Sequence, residues 1–216
     1  MKGKRDMKKF ISLIMVIVMV SLIACTFASC GDENDTNNTN TNSNEEITDA
    51  YKVTHHATIV IRDFGTIELE LYGNAAPITV ENFEKLANEG FYEGLTFHRI
   101  MTNFMIQGGG FTESGAEKDA NSIKGEFSSN GVNNPILHER GVISMARTSE
   151  PNSASSQFFI MHQTSPHLDG DYAAFGKVTS GIYVVDNICK SVEQGYNGAV
   201  SIYDRPVIES ITVTKV

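Results

Sequence analysis

The chain has 216 residues, 41% of them hydrophobic, and 26 acidic against 17 basic side chains give a net charge of −9 at pH 7. That length suits one domain of ordinary size with appendages, and the acidic balance argues against nucleic acid or anionic lipid as a partner of its bulk surface. The cysteines are Cys25, Cys30 and Cys189, which leaves no disulfide framework within a domain that holds only the last of them.

Lys2, Lys4, Arg5, Lys8 and Lys9 precede an uncharged run from Phe10 to Ala28, the layout of a secretory signal. Within it Leu22-Ile23-Ala24-Cys25 resembles the bacterial lipobox, in which cleavage before the cysteine accompanies its diacylation. Residues 1–24 are therefore expected to be a lipoprotein signal peptide and Cys25 the lipidated residue, with Cys30 as the alternative. The run is also about long enough to span a bilayer core of roughly 30 Å, so an uncleaved anchor remains open. Either way the basic flank stays in the cytosol and the rest is exported. The expected location is the outer face of the cell membrane, or the periplasm or outer membrane of a cell with two membranes. The N-terminal lipid would be the only membrane contact, and two or more acyl chains anchor stably where one does not. Loss of residues 1–24 removes five basic and one acidic side chain and takes the charge from −9 to −13.

Residues 25–54 read as the anchored N-terminus and a disordered linker, since Gly31 to Ala50 is almost entirely Asn, Thr, Asp, Glu and Ser. Such a segment buries too little apolar surface to offset its conformational entropy. Twenty flexible residues reach roughly 25 Å root-mean-square, enough to lift a domain clear of lipid headgroups.

Residues 55–216 form the domain. Thr58–Arg62 and Thr66–Tyr72 flank Asp63-Phe64-Gly65 as a hairpin, and Ile67, Leu69 and Leu71 alternate with Glu68 and Glu70. Pro77 opens a helix with Val80, Phe83, Leu86 and Ala87 on one face, and Gly90 stops it. Short strands with glycine-rich and polar connections follow, then a second helix over about Ile182 to Lys190 and a last strand over Ile208 to Val216. Cys189 falls at an apolar-periodic position and reads as core. Many short strands with two helices predict a closed or nearly closed antiparallel barrel.

Three segments carry the chemistry: Phe97-His98-Arg99-Ile100, Phe104-Met105-Ile106-Gln107-Gly108-Gly109 and Ser156-Gln157-Phe158-Phe159-Ile160. Together they offer an apolar floor and one fixed cation, but no nucleophile. No H-E-x-x-H spacing joins His98, His138, His162 and His167, no G-x-S-x-G elbow occurs, and Gln107 to Gly110 lacks a P-loop's Gly-Lys-Ser/Thr ending. No metal or other cofactor is expected.

In order and spacing these segments resemble the cyclophilin family of peptidyl-prolyl cis-trans isomerases, from about His56 to Val216. The resemblance implies an all-β fold with two helices, a closed eight-stranded antiparallel barrel capped by an α-helix at each end. It implies that Arg99 is catalytic, braced by Gln107. Phe104, Met105, Phe159 and Leu168 would receive a proline ring, while Ala146, Arg147 and Gln157 would line the groove for preceding residues. His167 stands where many members carry a tryptophan associated with cyclosporin binding, so only weak cyclosporin binding is expected. Tyr172 replaces a pocket-edge histidine, Arg147 replaces an asparagine, and the loop from Phe111 to Asn121 lacks the usual glycines. The implied partners are proline-containing peptides and unfolded exported proteins, met by a monomer. A proline-binding chaperone or adhesin, in which turnover is incidental, is the alternative.

Overall fold

A computed structural model describes residues 45 and 48–216. The expected signal peptide, both candidate lipidation cysteines and most of the tether lie outside the described residues. Eight strands, β1 (His55–Ile61), β2 (Gly65–Leu71), β3 (Leu95–Met101), β4 (Met105–Thr112), β5 (Val142–Met145), β6 (Phe158–Met161), β7 (Ala174–Ser180) and β8 (Ile208–Lys215), form one antiparallel sheet. Helix α1 (Pro77–Asn88) follows β2 and α2 (Ile182–Ser191) follows β7.

The sheet order is β3-β4-β6-β5-β7-β2-β1-β8, and it curls until its edge strands meet. The seam is narrow: a bridge between Thr96 and Val207, flanked by Gly94 N–H to Ile208 O and Phe97 N–H to Pro206 O, both 2.9 Å. Closure thus comes from a few hydrogen bonds, where the other strands share full ladders.

Alternation sends Ala57, Ile59 and Ile61 of β1 and Ile67, Leu69 and Leu71 of β2 inward. The turn between them holds Asp63 at φ 64°, a left-handed conformation that a short Asp side chain tolerates. At the His55 end of this hairpin α1 packs on β8, where the Asn88 amide and the Val213 backbone exchange two hydrogen bonds of 3.2 Å. At the opposite end Gly65 faces Val184 of α2. The helices therefore cap opposite ends, and each buries the face that periodicity assigns to it: Val80, Phe83, Leu86 and Ala87, then Val184, Val185, Ile188 and Cys189.

Strands β5 and β6 are buried at every position. Their alternate residues serve two different apolar clusters. Ile143, Met145, Phe158 and Ile160 fill the barrel, whereas Val142, Phe159 and Met161 join an outer cluster with Met105, Leu168 and Tyr72. Packing on that outer side reaches back before β1, since Ala50 is buried there and the Tyr51 hydroxyl donates to Pro135 O at 3.0 Å. Among the described residues no helix is long and apolar enough to cross a membrane.

Candidate active site

Phe97 and Ile100 are both fully buried in the barrel, although three residues apart on one strand. A strand of period two cannot do this without an irregularity. The register of β3 against β4 shifts between Leu95 and Phe97 and again between Phe97 and Arg99, and this bulging re-aims Arg99 onto the outer face. There it pairs with Gln107 of β4, Gln107 pairs with Phe159 of β6, and Phe159 pairs with Ser144 of β5. Four strands thus lay these residues out in one row.

Arg99 Nη1 donates to Gln107 Oε1 at 3.3 Å, and Gln107 Nε2 donates to Gln157 Oε1 at 3.0 Å. Gln157 has room because residue 110 is glycine, where a Cβ would stand 2.5 Å from Gln157 Cγ. Beside this polar line lies a cleft of about 100 Å³, lined by Arg99, Phe104, Met105, Gln107, Ala146, Arg147, Phe159, Leu168 and Tyr172. Its floor is apolar, with Met105, Phe159 and Leu168 only 1%, 5% and 7% exposed. Phe104 comes from the turn before β4, and Leu168 from the single helical turn Pro166–Leu168.

A second, larger groove of about 440 Å³ adjoins it and shares Gln107, Ala146 and Arg147 with it. Gln157, Glu117, Asp119, Thr148 and Ser153 are among the residues of its other walls. Arg147 stands between the two, its guanidinium 4.9 Å from the Phe127 ring centre and 4.7 Å from that of Tyr172. Donation to Asp171 O and Thr148 O, each at 2.9 Å, fixes it further. The structure therefore brings together every expected barrel-site residue except His167, which sits exposed at the rim, stacked on Phe104 with ring centres 5.6 Å apart.

Two arrangements escaped the sequence reading. Asn197, in the turn before β8, accepts from Arg99 Nε through its backbone oxygen at 3.0 Å and from Nη2 through Oδ1 at 3.1 Å. Its only sequence signal is the Asn197-Gly198 dipeptide, a turn marker. Beneath the cleft, His138 joins Asp169 Oδ1 through Nδ1 at 3.0 Å and Ser144 Oγ through Nε2 at 3.1 Å. The order is that of a hydrolase triad, but Ser144 is wholly buried beside its cross-strand partner Phe159, and no substrate carbonyl can approach its hydroxyl. Burial holds the His138 imidazole below its ordinary pKa, opposed in part by Asp169.

His98 packs edge-on to Phe111, and burial, with Arg205 nearby, pushes its pKa down to about 4. His162 accepts from Asn103 N–H at 2.9 Å and faces Asp186. The four histidines thus have separate partners, and among the described residues no three His, Cys, Asp or Glu side chains converge as metal ligands.

This arrangement can hold a small apolar ring against a donor without attacking it, and comparison with known proteins agrees. The family described as cyclophilin type peptidyl-prolyl cis-trans isomerase/CLD matches residues 56–216. Peptidyl-prolyl cis-trans isomerase B of Bacillus subtilis is 48% identical over 129 residues, covering 60% of this chain and 87% of that protein. A peptidyl-prolyl cis-trans isomerase of Acinetobacter baylyi is 44% identical over 165 residues, covering 71% and 85%. Among solved structures, a cyclophilin type isomerase of Cryptosporidium parvum superposes with TM-score 0.61 at 25% identity, covering 74% of this chain and 98% of its own. That protein has also been crystallised in the presence of the dipeptide Ala-Pro. With likeness running from β1 through β8 and through the cleft, the chain belongs to the cyclophilin-type peptidyl-prolyl cis-trans isomerases, enzymes that act on proline-containing peptides.

Proposed function

We propose that Arg99 and Gln107 are the catalytic pair, that the cleft receives the proline ring, and that the substrates are exported proteins folding outside the cytoplasmic membrane. The observation that carries the site assignment is the Arg99 guanidinium at the edge of a cleft floored by Met105, Phe159 and Leu168.

Rotation about a peptide bond faces roughly 18–20 kcal/mol because resonance stiffens the C–N bond. The two X-Pro isomers differ by only about 0.5–1 kcal/mol, so lowering the barrier is the whole task. In the twisted state the prolyl nitrogen becomes pyramidal and regains its lone pair. A guanidinium N–H offered to that lone pair binds the twisted state and not the planar one, which is what accelerates rotation. Gln107, already bonded to Arg99, presents its amide to the substrate backbone.

One charge-assisted hydrogen bond is worth about 1.5–3 kcal/mol, so Arg99→Ala should slow isomerisation of a proline peptide by roughly 10- to 100-fold. Equal rates for a folded Arg99→Ala protein and the parent would reject the assignment. Lost turnover with retained peptide binding would support it.

The exported role rests on the basic N-terminus, the uncharged run and Leu22-Ile23-Ala24-Cys25. Mass spectrometry of the mature N-terminus tests the lipid anchor: acylated Cys25, or Cys30, supports anchoring through lipid, and two unmodified thiols reject lipidation. The protein is expected to work as a monomer and to bind cyclosporin weakly, with His167 at the cleft rim.

A further inference from the structure

Arginine presents five N–H donors in a rigid fork, and which of them are already occupied decides what it can offer a substrate. In Arg99 the Nε–H goes to Asn197 O, the two Nη2 hydrogens face Asn197 Oδ1 and Met101 Sδ, and one Nη1 hydrogen goes to Gln107 Oε1. One donor remains, on the same nitrogen that reaches Gln107. Asn197 therefore grips the side of the fork away from Gln107, through two atoms of one residue.

The turn is shaped for this grip. Asn197 sits at φ 53° and ψ 29°, a left-handed conformation that Asn and Gly adopt readily and most residues avoid. At Gly198, with φ 77°, an added Cβ would run into Met101 Cγ and crowd Ile100 O, so only glycine lets the turn lie this close to β3. A bridge between Arg99 and Ala199 and the bond from Val200 N–H to His98 O at 3.0 Å fasten it there. Asn197 itself is exposed and contributes nothing to the barrel core.

We propose that Asn197 is a positioning residue for catalysis: it locks the Arg99 fork so that its single unoccupied N–H is the one offered to the prolyl nitrogen. This rests on Arg99 being catalytic. Because the substrate ring binds the apolar floor and not Asn197, loosening the fork should act on turnover and leave binding alone.

The test uses the full-length protein with a proline peptide and four variants. Asn197→Gly keeps the left-handed backbone and the carbonyl acceptor but deletes Oδ1. It should lower kcat roughly tenfold with KM nearly unchanged and should weaken the protection of the Arg99 Nε–H signal in NMR. Asn197→Asp restores an acceptor oxygen and should recover most of the rate. Added to Arg99→Ala, the Asn197→Gly change should do nothing further, because its effect passes through the guanidinium. A parental kcat in Asn197→Gly, no rescue by Asn197→Asp, or a further loss on top of Arg99→Ala would each overturn the proposal. The two readings fail separately: a fully active Arg99→Ala defeats the catalytic assignment, whereas an inactive Arg99→Ala beside a fully active Asn197→Gly defeats only the role of Asn197.

Discussion

Phe159, the floor of the cleft, lies on the His138 ring, with ring planes 19° apart and centres 6.0 Å apart. His138 is itself held at both nitrogens, by Asp169 and by Ser144, so a buried polar chain sets the height and tilt of an apolar surface. This is preorganisation of the kind that gives a weak donor its leverage.

Replacing His138 by Leu should therefore loosen the floor and strand two polar partners. A loss of about 1–2 kcal/mol in positioning corresponds to roughly 5- to 30-fold in kcat/KM. A folded His138→Leu protein with the parental kcat/KM would sink this reading. The same geometry predicts that a sulfonyl fluoride leaves the intact protein's mass unchanged, because Ser144 is wholly enclosed. Covalent labelling of Ser144 would mean that the floor opens.

Arg99→Lys keeps a cation but not the fork. An ammonium has three donors on one nitrogen and cannot reach Asn197 O, Asn197 Oδ1 and Gln107 Oε1 at their separate positions. The variant should fall close to Arg99→Ala in kcat, roughly tenfold or more below the parent. A rate within twofold of the parent would show that charge alone suffices. The comparison needs only a peptide isomerisation assay at saturating substrate.

The elements with period two or 3.6 were legible because their signals are local. Pro77 and Gly90 bracket α1, and Ile67, Leu69 and Leu71 mark β2, all within one stretch of chain. Arg99 and Gln107 stood out through their neighbours in family register. The row that runs from Arg99 through Gln107 and Phe159 to Ser144 was not legible, because it crosses four strands whose order is not the chain order. Strand β5 hid for a related reason: buried at every position, it shows no alternation to read, whereas β6 was legible through the apolar run Phe158-Phe159-Ile160. Asn197 and His138 act through folds of the chain that bring segments 98 and 31 positions apart into contact, and no spacing rule anticipates such pairs.

Glu126 is a further long-range partner, and it supplies what α1 lacks. The residue before the helix is Ala76, which has no capping side chain, and Pro77 at the first position has no N–H. The next two backbone donors, from Ile78 and Thr79, go to the Glu126 carboxyl at 3.0 and 2.7 Å, and the Thr79 hydroxyl joins at 2.8 Å. Glu126→Ala should cost about 2–3 kcal/mol, by leaving these buried donors unpaired. For a domain of this size that is a fall in Tm of roughly 4–12 °C. Glu126→Gln should fall between the two, since its amide keeps one acceptor and turns a donor toward the other N–H. A chemical-denaturation series of the three proteins checks the order, and a Glu126→Ala midpoint equal to the parent's would refute it.

Acid should destabilise the barrel through His98. In the unfolded chain this imidazole titrates at its ordinary 6.5, whereas in the fold burial, and then the neighbouring Arg205 cation, hold protonation off until about pH 4. Above 6.5 the ring is neutral in both states and costs nothing. Between 6.5 and 4 the unfolded chain binds the proton that the folded chain refuses, so folding stability declines across that window and levels off below it. The gap amounts to about 1–3 kcal/mol once solvent screening of a partly exposed ring is allowed for. His138, also held low by burial, adds to the decline in the same direction. Urea midpoints measured from pH 7.5 to 4 should therefore fall with acid in the parent and fall less in His98→Gln. That substitution also removes a ring packed on Phe111 and so lowers stability at every pH. The slope between 6.5 and 4 is accordingly the quantity to compare, and parallel curves for the two proteins would assign the acid sensitivity to other groups.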